Sequence, residues 1–166
     1  MGVRGGPRGR FAKSKLVVGL SLTPQRERNV QVLRGFVQAL HGINRSLSES
    51  LLDEAVQDDT LAPWLPELQT AIPIDETGVA RLKRSLALDK APVGALRYLG
   101  LSRYSDPISG AELRELLLLI AAKADGVEVA LDILSMRLHS DNDQKRSHDA
   151  EVIRASRELL EQLPLG

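Results

Sequence analysis

The stretch Ile108–His139, ISGAELRELLLLIAAKADGVEVALDILSMRLH, leaves this chain few ways to fold. Ser109 is followed three residues later by Glu112, the spacing of a capping box. The hydroxyl can accept from the Glu112 amide while the carboxylate reaches back to the amide of Ser109. Ile108 precedes that cap and Leu113 stands at the fourth helical position, which is the spacing of a hydrophobic staple. Leu113, Leu116, Leu117, Ile120 and Ala121 then fall on one helical face. Leu118 and Leu119 widen that face, so burial on more than one side is expected. Asp125 and Glu128 are read as a second capping box, followed by a stripe of Val127, Ala130, Ile133, Leu134 and Leu138. Only about three residues separate the two helices, which forces them into an antiparallel or steeply crossed pair. Their apolar side chains are read as core, not as a ligand site.

The rest of the chain agrees with a helical reading. Aromatic residues are only 3% of its 166 residues, so the core is built from Leu, Val, Ile and Ala, which suits helix packing better than a sandwich or barrel. The same scarcity argues against a base-stacking platform for nucleic acid. The length is enough for one domain with a sizeable core. The absence of cysteine excludes disulfides, thiolate metal sites and a cysteine nucleophile. No apolar run approaches the ~18 residues that a membrane helix needs, so no membrane partner is expected and the cytoplasm is the expected location. Residues 16–22 follow a basic start as a signal-peptide core would. The run is too short for one, and no small-residue cleavage site follows it.

Net charge is zero but unevenly spread. Arg4, Arg8, Arg10, Lys13, Lys15 and Arg26 stand without an acid among the first 26 residues, and the remainder is net acidic. Residues 1–22 are therefore expected to be a basic, largely disordered tail preceding a helical domain over 23–166. Residues 1–15 could act as an arm that neutralises phosphates, or simply as a solvated tail.

Thr23-Pro24 reads as a helix start, a Thr cap with Pro at the first helical position. Val30, Leu33, Phe36, Val37 and Leu40 share a face after it, and Gly42 is expected to close the helix. Ser46 and Glu49 suggest a further capping box. Pro63, Pro66 and Pro73 make residues 61–74 a connector. It carries the only tryptophan, Trp64, which is expected to pin the connector to the core, or if exposed to anchor a partner. Asp75 can cap a helix bearing Val79, Leu82 and Leu86, with Arg81, Lys83 and Arg84 facing out as a candidate phosphate-contact surface. A short helix is expected from Ala91-Pro92 to Gly100, with Tyr98 and Tyr104 near its end. A polar loop is expected after His139, then a last helix stopped by Pro164. Helix starts near 75, 110 and 145 lie about 35 residues apart, a spacing found in helix-pair repeats. The fold expected is all-α, as an irregular helical bundle or a short α-solenoid of antiparallel helix pairs.

Little in the sequence carries chemistry. His139, Asp141, Asp143, His148 and Asp149 form the most site-like cluster, and His139, Asp141 and His148 are its candidate metal ligands. Read as a calcium loop from Asp141, the cluster puts Lys145 at position 5, Arg146 where glycine is required and Val152 where glutamate is required. The glycines of residues 5–9 form no phosphate loop, and neither H-E-x-x-H nor G-x-S-x-G occurs. No cofactor is expected, and no catalytic residue is assigned.

The runs Gly126-Val-Glu-Val-Ala-Leu-Asp-Ile-Leu-Ser-Met-Arg-Leu-His139 and Glu151-Val-Ile-Arg-Ala-Ser-Arg-Glu-Leu-Leu160 carry a resemblance. Residues 95–163 resemble C-terminal helical-repeat segments of large bacterial multidomain NTPase-type proteins, some of them linked to phage defence. The resemblance implies a region that senses or docks partners and brings no catalytic residues. It would make the chain a fragment, a stand-alone relative or a degenerate copy. The expected function is a non-catalytic protein-interaction or scaffold module with a protein partner or self-association. The alternatives are a nucleic-acid-associated protein using the basic arm, and a small metal-dependent enzyme around His139 and His148.

Overall fold

Four residues, 122–125, join the two central helices, and the turn closes through a left-handed residue instead of a second cap. In a computed structural model of the protein, which describes residues 26–164, Ser109 caps the helix Gly110–Ala121, accepting from the Glu112 amide at 3.3 Å. Glu112 returns to the Ser109 hydroxyl at 3.4 Å and not to its amide, so only half of the box forms. Ile108 and Leu113 are both buried in one core, as the staple requires. Asp125 makes no side-chain cap at all. It adopts a left-handed conformation with φ 61° and swings the chain straight into the next helix, Gly126–Asp143. Gly126 then lies directly against the end of the preceding helix: a Cβ added there would stand 1.8 Å from the Ile120 carbonyl oxygen. Only glycine fits at that crossing.

The elements in chain order are α1 (Arg26–Ile43), α2 (Arg45–Ala55), a 3-10 turn (Ala62–Trp64), α3 (Leu65–Gln69), α4 (Glu76–Leu88), a 3-10 segment (Val93–Gly100), α5 (Gly110–Ala121), α6 (Gly126–Asp143) and α7 (Ala150–Glu161). Among the described residues there is no strand, and no helix is long and apolar enough to cross a membrane. The expected helix start at Thr23-Pro24 and the tail over residues 1–22 lie outside the described residues. Asn44, accepting from the Leu47 amide at 3.1 Å, caps α2 in place of Ser46, and α1 runs one residue past Gly42. Asp75 caps α4 as expected. The helix expected after Ala91-Pro92 is wound as 3-10. The residues after His139 continue α6 through Asp143, so the loop is shorter and α7 starts at Ala150.

The hydrophobic interior divides in two. One cluster is drawn from α1, α2, the first 3-10 turn and α3, with Val30, Leu33, Val37, Leu52, Leu61, Leu65 and Leu68 at its centre. The other runs from Ile74 through α4, the 3-10 segment, α5, α6 and α7 to Leu159. Within this second cluster α5 packs against α4, α6 and α7 together. This compact packing around one core fits an irregular helical bundle.

Arg81 bridges the two clusters. Its place in the sequence predicts an outward-facing side chain, but it is completely buried. Its guanidinium donates to Glu49 at 2.7 Å, to Asp53 at 2.9 Å and to Gln69 at 2.7 Å. Gly78, one turn before it, is also buried, and a Cβ added there would stand 2.9 Å from the side-chain nitrogen of Gln69. The nitrogen of Gln69 is buried beside Gly78, and it has no hydrogen-bond partner among the described residues.

Candidate functional site

The two clusters meet at the surface in a mostly apolar groove of about 450 Å³. Pro63, Trp64 and Glu67 form the wall on the side of the first cluster. Pro92, Ala95, Arg97, Tyr98 and Leu101 form the wall on the side of the second. The proline in the connector fixes its backbone and starts the 3-10 turn that presents Trp64. Pro92 does the same for the segment that presents Tyr98. The 3-10 winding matters here, because its three-residue turn stacks Ala95, Tyr98 and Leu101 along one edge.

The walls are braced from behind. Tyr98 stacks on Tyr104 with ring centres 6.0 Å apart and planes 10° from parallel. The Arg34 guanidinium sits 5.7 Å and 5.2 Å from the two ring centres, within cation–π range. Arg34 is itself held by the Tyr104 hydroxyl at 2.7 Å and by Thr70. Gln31 donates to Glu67 at 2.6 Å and reaches the Tyr98 hydroxyl at 3.5 Å. Arg97 is held by Asp132 at 3.1 Å. The groove is thus preformed, with an aromatic and aliphatic floor and one acid and one base at its edges.

The residues singled out from the sequence divide accordingly. Trp64 pins the connector to the first cluster, as expected, and its side chain also lines the groove. Arg81 cannot meet a phosphate, because it is buried among carboxylates. Lys83 is turned to Glu115 at 2.5 Å and Arg84 to Asp53 at 3.0 Å, so the expected basic face is neutralised by acids of neighbouring helices. Arg4, Arg8, Arg10, Lys13 and Lys15 lie outside the described residues.

The metal candidates do not assemble. His139 and Asp141 are two residues apart on α6, about 200° around the helix. His139 is exposed and faces Asp143 at 3.5 Å, while Asp141 is buried. The Asp141 carboxylate is taken by Arg146 at 2.9 Å and lies 3.6 Å from Arg137. His148 reaches its other oxygen at 3.5 Å. Two guanidinium groups at that carboxylate oppose a further cation. Among the described residues no three His, Asp or Glu side chains gather where a metal ion could sit. Arg146 also donates to Asp106 at 3.1 Å, chiefly through which its own pKa is raised. The group acts as a clamp on the end of α6.

The Lys83–Glu115 contact gives a measurable consequence. The hydrogen bond from Lys83, and then its charge, hold Glu115 below the usual carboxylate range. Its contribution to stability is present above the unfolded value and is lost as pH falls through the lowered folded value. An NMR titration of the Glu115 carboxyl is expected to give a lower midpoint in the native chain than in Lys83→Met. Equal midpoints would show that the contact does not persist in solution.

No family model matches the chain, and searches of curated proteins and of solved structures find no match.

Proposed function

We propose that this chain is a non-catalytic helical interaction module whose Trp64–Tyr98 groove receives a proline-rich segment of a protein partner. The observation that carries this reading is the composition of the groove: aromatic faces and prolines on both walls, held in place before any ligand arrives. Segments in the polyproline II conformation dock on such aromatic-lined grooves, because their rings stack on flat apolar faces and their backbone is already ordered. Glu67 and Arg97 at the edges offer one acceptor and one donor to orient the segment. The resemblance of residues 95–163, which supply the Tyr98 wall, extends the reading to an accessory or fragment of a larger bacterial NTPase system, in which the partner would be found.

Trp64 is the only tryptophan and so reports on this groove alone. Titration with a proline-rich dodecapeptide is expected to give a saturable blue shift of its fluorescence. Tyr98→Ala should weaken binding roughly tenfold, or about 1.4 kcal/mol. A flat titration into the millimolar range removes the reading.

A second reading, nucleic-acid association, rests on the unbalanced charge of residues 1–15. DNA or RNA binding that weakens steeply with salt and disappears on deleting those residues would favour it.

A further inference from the structure

Helix α1 carries a second apolar face that nothing among the described residues covers. Val32, Phe36, Ala39 and Ile43 are spaced four, three and four residues apart, which is the seam of a two-helix coiled coil. They fall within an arc of about 60° on the helix surface. All are exposed, Val32 at 60%, Phe36 at 39% and Ile43 at 85%. Gly35 and Gly42 flank the seam on one side. Neither has a positive φ, and a Cβ added at either would meet nothing within 4 Å. The described residues therefore give no reason for glycine at either position. A closely approaching helix does. The face also carries no charge from residue 29 onward, because Arg34 turns inward onto Tyr98 and Tyr104, and His41 turns to Ser48 at 3.1 Å.

We propose that this face binds the same face of a second copy, with the two α1 helices antiparallel about a twofold axis. A two-fold contact sets a surface against itself, so any charge on it meets a like charge near the axis. This face has none to oppose. Volumes decide the direction. In the antiparallel register Val32 meets Ile43 of the second copy and Phe36 meets Ala39, a large residue against a small one. In a parallel pair Phe36 would meet Phe36 and Ala39 would meet Ala39, alternating a clash with a void. The antiparallel pair also keeps the first turns of the two α1 helices, in which residues 26 and 28 are both Arg, at opposite ends of the pair. The contact is separate from the Trp64–Tyr98 groove and does not depend on its function.

Sedimentation equilibrium of the full chain and of two charge variants tests this. The native chain is expected to be a dimer. Ile43→Glu, which sets a carboxylate against Val32 of the other copy, should give a monomer with unchanged far-UV circular dichroism. Adding Val32→Lys to Ile43→Glu should restore the dimer, because the introduced ammonium of one copy then meets the introduced carboxylate of the other across the antiparallel pair. A native chain that stays monomeric at every concentration overturns the proposal, as it would if residues 1–25 of the same chain covered the face. A dimer indifferent to Ile43→Glu overturns the surface. A double variant that stays monomeric overturns the register.

Discussion

Gly126→Ala is expected to destabilise the chain by about 3 kcal/mol, at the upper end of overpacking costs. Alanine in a helix normally helps by up to ~1 kcal/mol over glycine. Here the added carbon would stand 1.8 Å from the Ile120 carbonyl oxygen, 2.8 Å from its carbon and 3.2 Å from the Ala121 Cα. All three are backbone atoms at the end of α5, and no rotamer change can clear them. The α5–α6 crossing must open, and with it the packing of Leu116, Leu117, Ile133 and Leu134, all buried in the larger cluster. For a chain of this size the loss corresponds to a fall in Tm of roughly 10 °C, read by thermal circular dichroism. A Tm equal to or above the native value would show that the crossing is looser than described.

Arg81 supports the second prediction. Arg81→Met is expected to cost about 3 kcal/mol in urea unfolding, toward the low end for breaking a buried ion pair. The low end applies because Asp53 is half exposed and can rehydrate, whereas Glu49 is largely covered and Gln69 is fully buried. Arg81→Lys should recover only part of the loss. A single ammonium cannot serve Glu49, Asp53 and Gln69 in the directions that the guanidinium fork reaches. Combining Arg81→Met with Glu49→Leu should recover more, because most of the cost lies in stranded charge rather than in lost attraction. A double variant as unstable as the sum of the two single variants would place the cost in packing instead.

The comparison of sequence with structure turns on these same residues. The capped and stapled start of α5 was legible because Ser109, Ile108 and Leu113 act through local spacing. The left-handed turn at Asp125 was not, since its spacing to Glu128 imitates a cap. What distinguishes it is the glycine that follows, whose need is set by a carbonyl six residues earlier. Arg81 was misread because a charged residue beside Val79 and Leu82 was assigned to solvent. No local spacing marks its burial, because the carboxylates that receive it lie 32 and 28 positions away. Trp64 was picked out by its rarity, yet the other wall of its groove was not. Tyr98 faces it because the second segment is wound with three residues per turn, and neither its length nor its composition separates 3-10 from α. The outer seam of α1 was half visible: Phe36 was placed with the core residues Leu33 and Val37, while the structure turns it outward beside Val32.

The division of the interior at Pro73 also bears on the order in which the chain is made. The described apolar side chains of the first cluster lie within residues 30–72, so they are present before α4 is synthesised. Domains assemble as their segments emerge, and the apolar contacts within this cluster need no residue made after 72. Its polar edge cannot be completed then. Glu49, Asp53 and Gln69 must wait in water until α4 delivers Arg81. A nascent chain stopped at residue 74 should hold its leucines together yet keep those groups hydrated, and the helix that closes the first half is the one that founds the second.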